Sequence, residues 1–278
     1  MKRILVATDL SGRSDRALQR AVAIASQCGA EVEILHVVDD ALPDPLPESQ
    51  IELAGRALDL QTQALPRPEN ASVRTHVVSG QAFIDILRSA HEFGADLIVL
   101  GPSRYEMRSL FRGTTVERVI RFGHLPALVV HAPLVHPYQR VMVAVDRSPH
   151  SQRALECALM LAPDADFLLV HALHVPFKGF LGAETIEQIM REGEARIRSD
   201  IDADVGAAAA KTRVSPKWRL QVTTGLPNEV LQAAATQFNA DLIAVGTHGR
   251  SAIGYAVLGS VAENFLADSV TDVLAVRG

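Results

Sequence analysis

The sequence predicts a duplicated α/β fold, in which each copy is a parallel β-sheet covered by helices on both faces. Three observations carry this. Short continuous apolar runs alternate with longer segments whose apolar residues recur at helical spacing, as buried strands and their crossover helices should. The segment Arg3-Ile4-Leu5-Val6-Ala7-Thr8-Asp9 returns 137 residues later as Arg140-Val141-Met142-Val143-Ala144-Val145-Asp146. Further matches follow in order: Ser14 with Ser151, Arg16-Ala17-Leu18 with Arg153-Ala154-Leu155, His36 with His171, Gly80 with Gly225, Ala95–Ile98 with Ala240–Ile243, and Gly113-Thr114 with Gly259-Ser260. Their offsets drift between 135 and 146 residues, so one domain has been repeated with changes in loop length.

In the first copy, strand one is the apolar run Ile4–Thr8. The helix after it carries Ala17, Ala21, Val22, Ala25 and Cys28 on one face, with Ser14 as its expected N-cap and Gly29 as its stop. Strand two is Val32–Val37. A proline-rich loop (Pro43, Pro45, Pro47) leads into a helix over Ser49–Gln63. Strand three is Val73–Val78, the next helix Gln81–Phe93, and strand four Leu97–Leu100. A loop then runs to Gly113, followed by a helix over Thr114–Phe122 and strand five over Ala127–His131. Alternating strands and helices of this kind build a parallel sheet with right-handed crossovers. The residues from Ala132 to Pro137 are long enough only for a linker, so the domains are expected at 1–134 and 138–278. The second copy places strands near 141–145, 167–171, 218–223, 242–245 and 273–276, with a long, charged second helix over Ala183–Ala203.

Composition narrows the function classes. With 48% apolar and 21% charged residues the chain is globular. The net charge of −5 is spread evenly over the two copies, which argues against a nucleic-acid or anionic-membrane binder. No apolar stretch approaches the length of a membrane span or a signal-peptide core. A soluble, cytoplasmic protein is the simplest reading, with Cys28 and Cys157 as buried, reduced thiols.

The most informative stretch is Ala240-Asp241-Leu242-Ile243-Ala244-Val245-Gly246-Thr247-His248-Gly249, continuing to Gly259-Ser260. A strand, a glycine loop and a helix start form a phosphate-binding arrangement, because glycines allow close backbone approach and the first-turn N–H groups of a helix point at an anion. Gly254-Tyr255-Ala256-Val257-Leu258-Gly259-Ser260 also approaches a Walker A loop, but the lysine that clamps the β- and γ-phosphates is missing.

The pattern Gly-x2-Gly-x9-Gly-Ser/Thr, met by Gly246, Gly249, Gly259 and Ser260, resembles the nucleotide signature of the universal stress protein family. Together with the strand-one Asp146 and the repeat, the chain resembles a tandem member. The resemblance implies five-stranded sheets of order 3-2-1-4-5, of the adenine-nucleotide alpha-hydrolase-like class, binding ATP, with Mg2+ as its companion ion. It further implies that Asp146, Ala144 and Ala172 lie at the adenosine end and that Gly246, Gly249, Gly259, Ser260 and Val261 hold the phosphates. The family's dimers meet through their fifth strands, which implies an intramolecular pairing of the two copies here, with a further homodimer left open.

The first copy departs from the signature. Gly101-Pro102-Ser103-Arg104 puts an arginine where the second glycine belongs, and Pro102 removes an amide donor. Nucleotide binding in the family's manner is therefore not expected of this half. Arg104, Arg108, Arg112, Arg118 and Arg121 form a basic stretch, read here as solvated surface in preference to an anion site. His36 and His171 end their strands at matching positions, and structural imidazoles are favoured over metal ligands. His248 and Arg250 fall inside the phosphate loop, and their role is left open. Asp146 admits a bland reading too, as the cap of the following turn.

No nucleophile–base pair or metal cluster accompanies the loop, so the chain is expected to be a nucleotide-dependent stress-response or regulatory factor with an unidentified protein partner. Any catalysis would be limited to slow hydrolysis of bound ATP. Two rivals remain. One is an ATP-using enzyme of a related fold, disfavoured because Asp146-Arg147-Ser148-Pro149-His150-Ser151 lacks the glycine-rich loop such enzymes carry. The other is a partner- or small-ligand-binding module with incidental nucleotide.

Overall fold

In the computed structural model, strand β1 (Arg3–Thr8) runs parallel between β2 (Glu31–Asp39) and β4 (Leu97–Leu100), with Ile4 paired to Val32 on one side and to Leu97 on the other. The structure describes residues 1–41, 46–66, 72–102, 113–173, 183–248 and 258–278. The chain divides into two units, Met1–Pro137 and Tyr138–Gly278.

In the first unit β3 (Val73–Gly80) lies outside β2, and β5 (Ala127–Val129) lies outside β4, all parallel. The order is β3-β2-β1-β4-β5. Every residue of β4 and β5 is buried. Successive strand side chains point to opposite faces, so unbroken burial requires cover on both sides. The helices α1 (Ser14–Cys28), α2 (Leu46–Ala64), α3 (Ala82–Phe93) and α4 (Thr115–Phe122) supply it. Helix α1 buries Ala17, Leu18, Ala21, Val22, Ile24 and Ala25, and it stops where Gly29 takes φ 66° and donates its N–H to the Ala25 carbonyl.

The second unit repeats the plan with β6 (Arg140–Ala144), β7 (Asp166–Leu173), β8 (Lys217–Thr224), β9 (Leu242–Gly246) and β10 (Asp272–Val276), in the order β8-β7-β6-β9-β10. Its helices are α5 (Pro149–Leu161), α6 (Ala183–Thr212), α7 (Pro227–Phe238) and α8 (Ser260–Asp268). Each sheet therefore has the expected 3-2-1-4-5 order.

The repeated Ala-Asp-Leu-Ile motif has a structural explanation. Asp96 accepts the backbone N–H groups of Lys2 and Arg3, and Asp241 accepts those of Gln139 and Arg140. Each carboxylate satisfies the orphan donors where its strand one begins. That is the opposite end of the sheet from the candidate site.

Three expectations need correction. Helix α6 ends at Thr212 rather than near Ala203. Ile197, Ile201, Val205 and Ala208 are buried at helical spacing, and the alanine-rich end has high helix propensity, so the helix continues along α5. Gly206 lies within it without interrupting it. Ser14 does not cap α1; Arg13 occupies the cap position in helical conformation. Cys28 is exposed, because it closes the last turn of α1 away from the sheet, whereas Cys157 is buried. Burial raises the Cys157 thiol to about 11, desolvation of the thiolate being the main cause. No helix among the described residues is long and apolar enough to cross a membrane.

Candidate functional site

At the C-terminal ends of the central strands the chain turns the same way twice. Oδ1 of Asp9 accepts the Ser11 N–H at 3.0 Å, and Oδ1 of Asp146 accepts the Ser148 N–H at 2.9 Å. Each carboxylate thus closes a turn over one residue, as an Asx turn does. The spanned residues are left-handed without being glycine: Leu10 has φ 62° and Arg147 φ 63°. Arg147 then reaches α6, where Nη1 donates to Oδ2 of Asp200. Leu10 offers no such charge.

Behind the turns, the hydroxyls differ in use. In the first unit Ser14 faces inward, with Oγ 2.8 Å from Thr8 Oγ1 and donating to Asp9 at 2.9 Å. In the second, Ser148 caps α5 by accepting the Ser151 N–H at 3.2 Å. The two strand-end histidines behave alike. His36 donates from Nδ1 to the Thr8 carbonyl at 2.9 Å, and His171 from Nδ1 to the Val145 carbonyl at 2.6 Å. Each imidazole ties the end of strand two to the end of strand one. Ala144 ends β6, half-buried, and Ala172 lies near the end of the neighbouring β7, also half-buried. Ala144, Asp146 and Ala172 therefore border the same sheet end.

Gly246 ends β9 against the start of α5. A Cβ there would lie 2.8 Å from the His150 Cβ and 3.0 Å from the Ser151 nitrogen, so strand and helix approach too closely for any side chain. Gly101, its counterpart, meets the start of α1 the same way, with a Cβ 3.1 Å from the Ser14 Cα. These glycines serve packing in both units, whatever else Gly246 does. Gly249 and Arg250 lie outside the described residues. His248 is buried, 3.0 Å from Thr247 Oγ1 through Nδ1, with its ring centroid 5.2 Å from that of His150.

The largest difference lies where the last helix begins. Helix α4 is closed by its own residues. Thr114 at the N-cap accepts the Glu117 N–H at 3.2 Å, and the Glu117 carboxylate accepts the Thr114 N–H at 3.0 Å, a reciprocal capping box. Helix α8 starts from Gly259, which makes no side-chain cap, and Ser260 is the first helical residue rather than the cap. Val261 follows it in the first turn. The Gly259 N–H donates to the Thr247 carbonyl at 2.7 Å, which holds the helix start beside the end of β9. Among the described residues no N-cap side chain closes α8, whose first turn also carries Glu263, and its amides and positive dipole end suit an anion. The same place in α4 already holds a carboxylate.

Comparison with known proteins fits this architecture. The family model described as "Universal stress protein family" matches residues 1–131 and again 137–277. The chain belongs to the universal stress protein family. It is a tandem member, and its similarity to other universal stress proteins extends to full length. One from Mycobacterium tuberculosis is 24% identical over 295 residues, covering 99% of this chain and 96% of its own. A universal stress protein of Thermus aquaticus is 30% identical over 145 residues, which is 50% of this chain and 99% of the relative. The crystal structure of a universal stress protein from Archaeoglobus fulgidus superposes with a TM-score of 0.68 at 19% identity, covering 99% of this chain and 96% of that one, which speaks for the fold.

Two features escaped the sequence reading. The Thr114-x-x-Glu117 pattern fits a capping box, but Ser260-x-x-Glu263 fits it as well, so the pattern alone does not tell the two helix starts apart. The left-handed Leu10 and Arg147 carry no sequence signal, because neither residue type prefers that region.

Proposed function

We propose that this universal stress protein binds ATP in its second half and acts as a nucleotide-dependent regulatory factor in a stress response. The observation that carries this reading is the start of α8: a helix N-terminus whose N-cap is a glycine, with no side-chain cap among the described residues, beside the end of β9. First-turn amides and the helix dipole favour phosphate there. Gly246, Gly249, Gly259, Ser260 and Val261 would hold the phosphates. Asp146, with Ala144 and Ala172 beside it, would receive the adenosine end. Asp146 is half-buried and already anchored through Oδ1 by its turn, so its carboxylate is held in place before any ligand arrives.

Mg2+ would come with the nucleotide, since among the described residues no three His, Cys, Asp or Glu side chains gather as a metal site. A regulatory role requires that ATP bind one conformation more tightly than another. The partner that reads this difference would be a protein.

The test is calorimetric titration with ATP of the wild type and of Gly249→Arg, which copies Arg104 of the first half. The variant is expected to bind at least about tenfold more weakly, equivalent to about 1.4 kcal/mol. A wild type that binds no ATP sinks the proposal; equal binding by both proteins sinks the residue assignment.

A further inference from the structure

Each sheet has a crevice where strand order reverses, between β1 and β4 in the first half and between β6 and β9 in the second. Beside each lies the Asx turn after strand one, and the two turns are held differently. Oδ1 of Asp9 lies within hydrogen-bond distance of three donors, the Ser11 N–H, the Ser11 hydroxyl and the Ser14 hydroxyl. Among the described residues Oδ1 of Asp146 has one, the Ser148 N–H. The matching hydroxyls of the second half bond elsewhere. Ser148 accepts the Ser151 N–H as the cap of α5, and Ser151 donates to the Ser148 carbonyl at 3.0 Å. Asp146 thus keeps more acceptor capacity for a ligand, while its own turn holds it less.

The second half has a tether from outside instead. Nη1 of Arg147, at the crest of the turn, donates to Oδ2 of Asp200 on α6 at 2.5 Å. Arginine suits that crest poorly on stability grounds. It holds φ 63°, and its buried Nε has no hydrogen-bond partner among the described residues. Two local costs on one residue point to a role beyond stability. Helix α6 is a firm post for the tether. One turn beyond Asp200, Asp204 accepts Nε2 of Gln152 on α5 at 2.6 Å. Towards its start, a Cβ at Gly193 would lie 3.2 Å from Cδ2 of Leu173, the last residue of β7 and the neighbour of Ala172. In the first half Leu10 carries no charge, and α2 is bonded to α1, through Gln61 and Asp15, at 3.0 Å.

We infer that Arg147 is a positioning residue for the nucleotide site of the second half: through Asp200 it holds the Asp146 turn against α6 and so fixes the Asp146 carboxylate for its ligand. This role rests on the reading of the second half as the ATP site. An ion pair outside the turn steadies the carboxylate while leaving its oxygens open to ATP, which hydroxyl bonds of the Asp9 kind would occupy. By linkage ATP tightens the pair in return, so occupancy of the site reaches α6.

The test is calorimetric titration of the full chain with ATP, as wild type, Asp200→Asn, Asp202→Asn, Arg147→Leu (which copies Leu10) and Arg147→Leu/Asp200→Asn. Urea unfolding confirms that each is folded. Removing an acid near the site favours an anionic ligand by charge alone. Positioning gives the opposite sign. Asp200→Asn is expected to bind ATP about three- to fivefold more weakly, the scale of a partly exposed ion pair. Asp202→Asn removes the same charge from an exposed position on α6 and is expected to bind as the wild type does, or more tightly. In the Arg147→Leu background Asp200→Asn is expected to cause no further loss. Binding by Asp200→Asn as tight as the wild type's overturns the role of Arg147, and so does an equal loss in Asp202→Asn or in the Arg147→Leu background.

A second measurement needs no ligand. The Ser148 N–H donates to Asp146, so its hydrogen exchange in the free protein, followed by NMR, reports the turn. It is expected to be at least about threefold faster in Asp200→Asn and unchanged in Asp202→Asn. An unchanged rate in Asp200→Asn overturns the tether. If the wild type binds no ATP, the reading of the second half falls and Ser148 exchange alone decides the tether. If Gly249→Arg weakens ATP binding and Asp200→Asn does not, that reading stands and the role of Arg147 falls.

Discussion

Helices α4 and α8 occupy the same place in two copies of one domain, yet they begin differently. One is closed by Thr114 and Glu117, which satisfy each other's backbone donors. The other begins at a glycine, which has no side chain to cap it. The sheet order, the Asx turn after strand one, the histidine clasp and the packing glycine are alike in both halves. The differences therefore lie in a few residues, at this helix end and at Ser14 and Ser148, and they teach that a duplicated scaffold can keep its frame while its local bonding diverges.

The widest separation between the halves should appear on adding ATP. At one hundred times its dissociation constant, a ligand that binds only the folded second unit stabilises it by about 2.7 kcal/mol. Hydrogen exchange should show added protection in β9 and α8 and little in β4 and α4; equal protection in both halves would erase the contrast.

Next come the packing glycines. Gly246→Ala places a Cβ 2.8 Å from that of His150, and it is expected to destabilise by about 2 kcal/mol, in the range of overpacked cores. Gly101→Ala, with its closest contact at 3.1 Å, should cost about half as much. Urea unfolding of the two variants measures the ranking, and a reversed order would mean that the α5 start yields more easily than the α1 start.

A smaller effect separates the caps. Thr114→Ala removes a cap and should cost about 1 kcal/mol. Ser260→Ala removes an exposed hydroxyl from a first helical position and should change stability by less than about 0.5 kcal/mol, while still weakening ATP binding. Equal costs for both would show that Ser260 caps α8 after all.

The last contrast concerns the thiols. Iodoacetamide at pH 8 should label exposed Cys28 and leave Cys157 untouched until the chain unfolds. The folded chain holds the Cys157 proton more tightly than the unfolded chain, whose ordinary value is 9.0. Its contribution is thus complete below pH 9.0 and is lost as pH rises toward about 11. Comparing the pH dependence of stability in wild type and Cys157→Ala isolates that loss; parallel curves would refute it.

The frame was legible because it rests on periodic burial. The apolar runs gave the strands, and the 137-residue echo of Arg3–Asp9 in Arg140–Asp146 gave the second domain. Boundaries set by tertiary contact were not. Helix α6 continues through Gly206 because Val205 and Ala208 are buried at helical spacing, which the propensity of Ala207–Ala210 supports but does not fix. At the site, residue types were visible and their bonding was not. Ser14 has the identity of a cap but turns inward to Thr8 and Asp9, where its hydroxyl is needed more. Gly113-Thr114 and Gly259-Ser260 look like one motif in sequence. Each is even followed three residues on by a glutamate, Glu117 or Glu263; what separates them is where the helix starts, with Thr114 the N-cap of α4 and Ser260 the first helical residue of α8.

Leu10 and Arg147 share a backbone angle that costs an ordinary residue roughly 1 kcal/mol or more, and they share nothing else. The bend after strand one is thus dictated by the elements it joins and tolerates unrelated side chains at its crest. The position is a natural attachment point for spectroscopic probes. A small fluorophore on Leu10→Cys would sit at the mouth of the first crevice, next to Asp9, in a chain whose other cysteines are replaced. The matching probe at Arg147 would stand beside Asp146 with the tether to Asp200 gone, as Leu10 has none. One polypeptide would then carry two reporters in the same geometric setting, and each half could be read against the other as its internal standard.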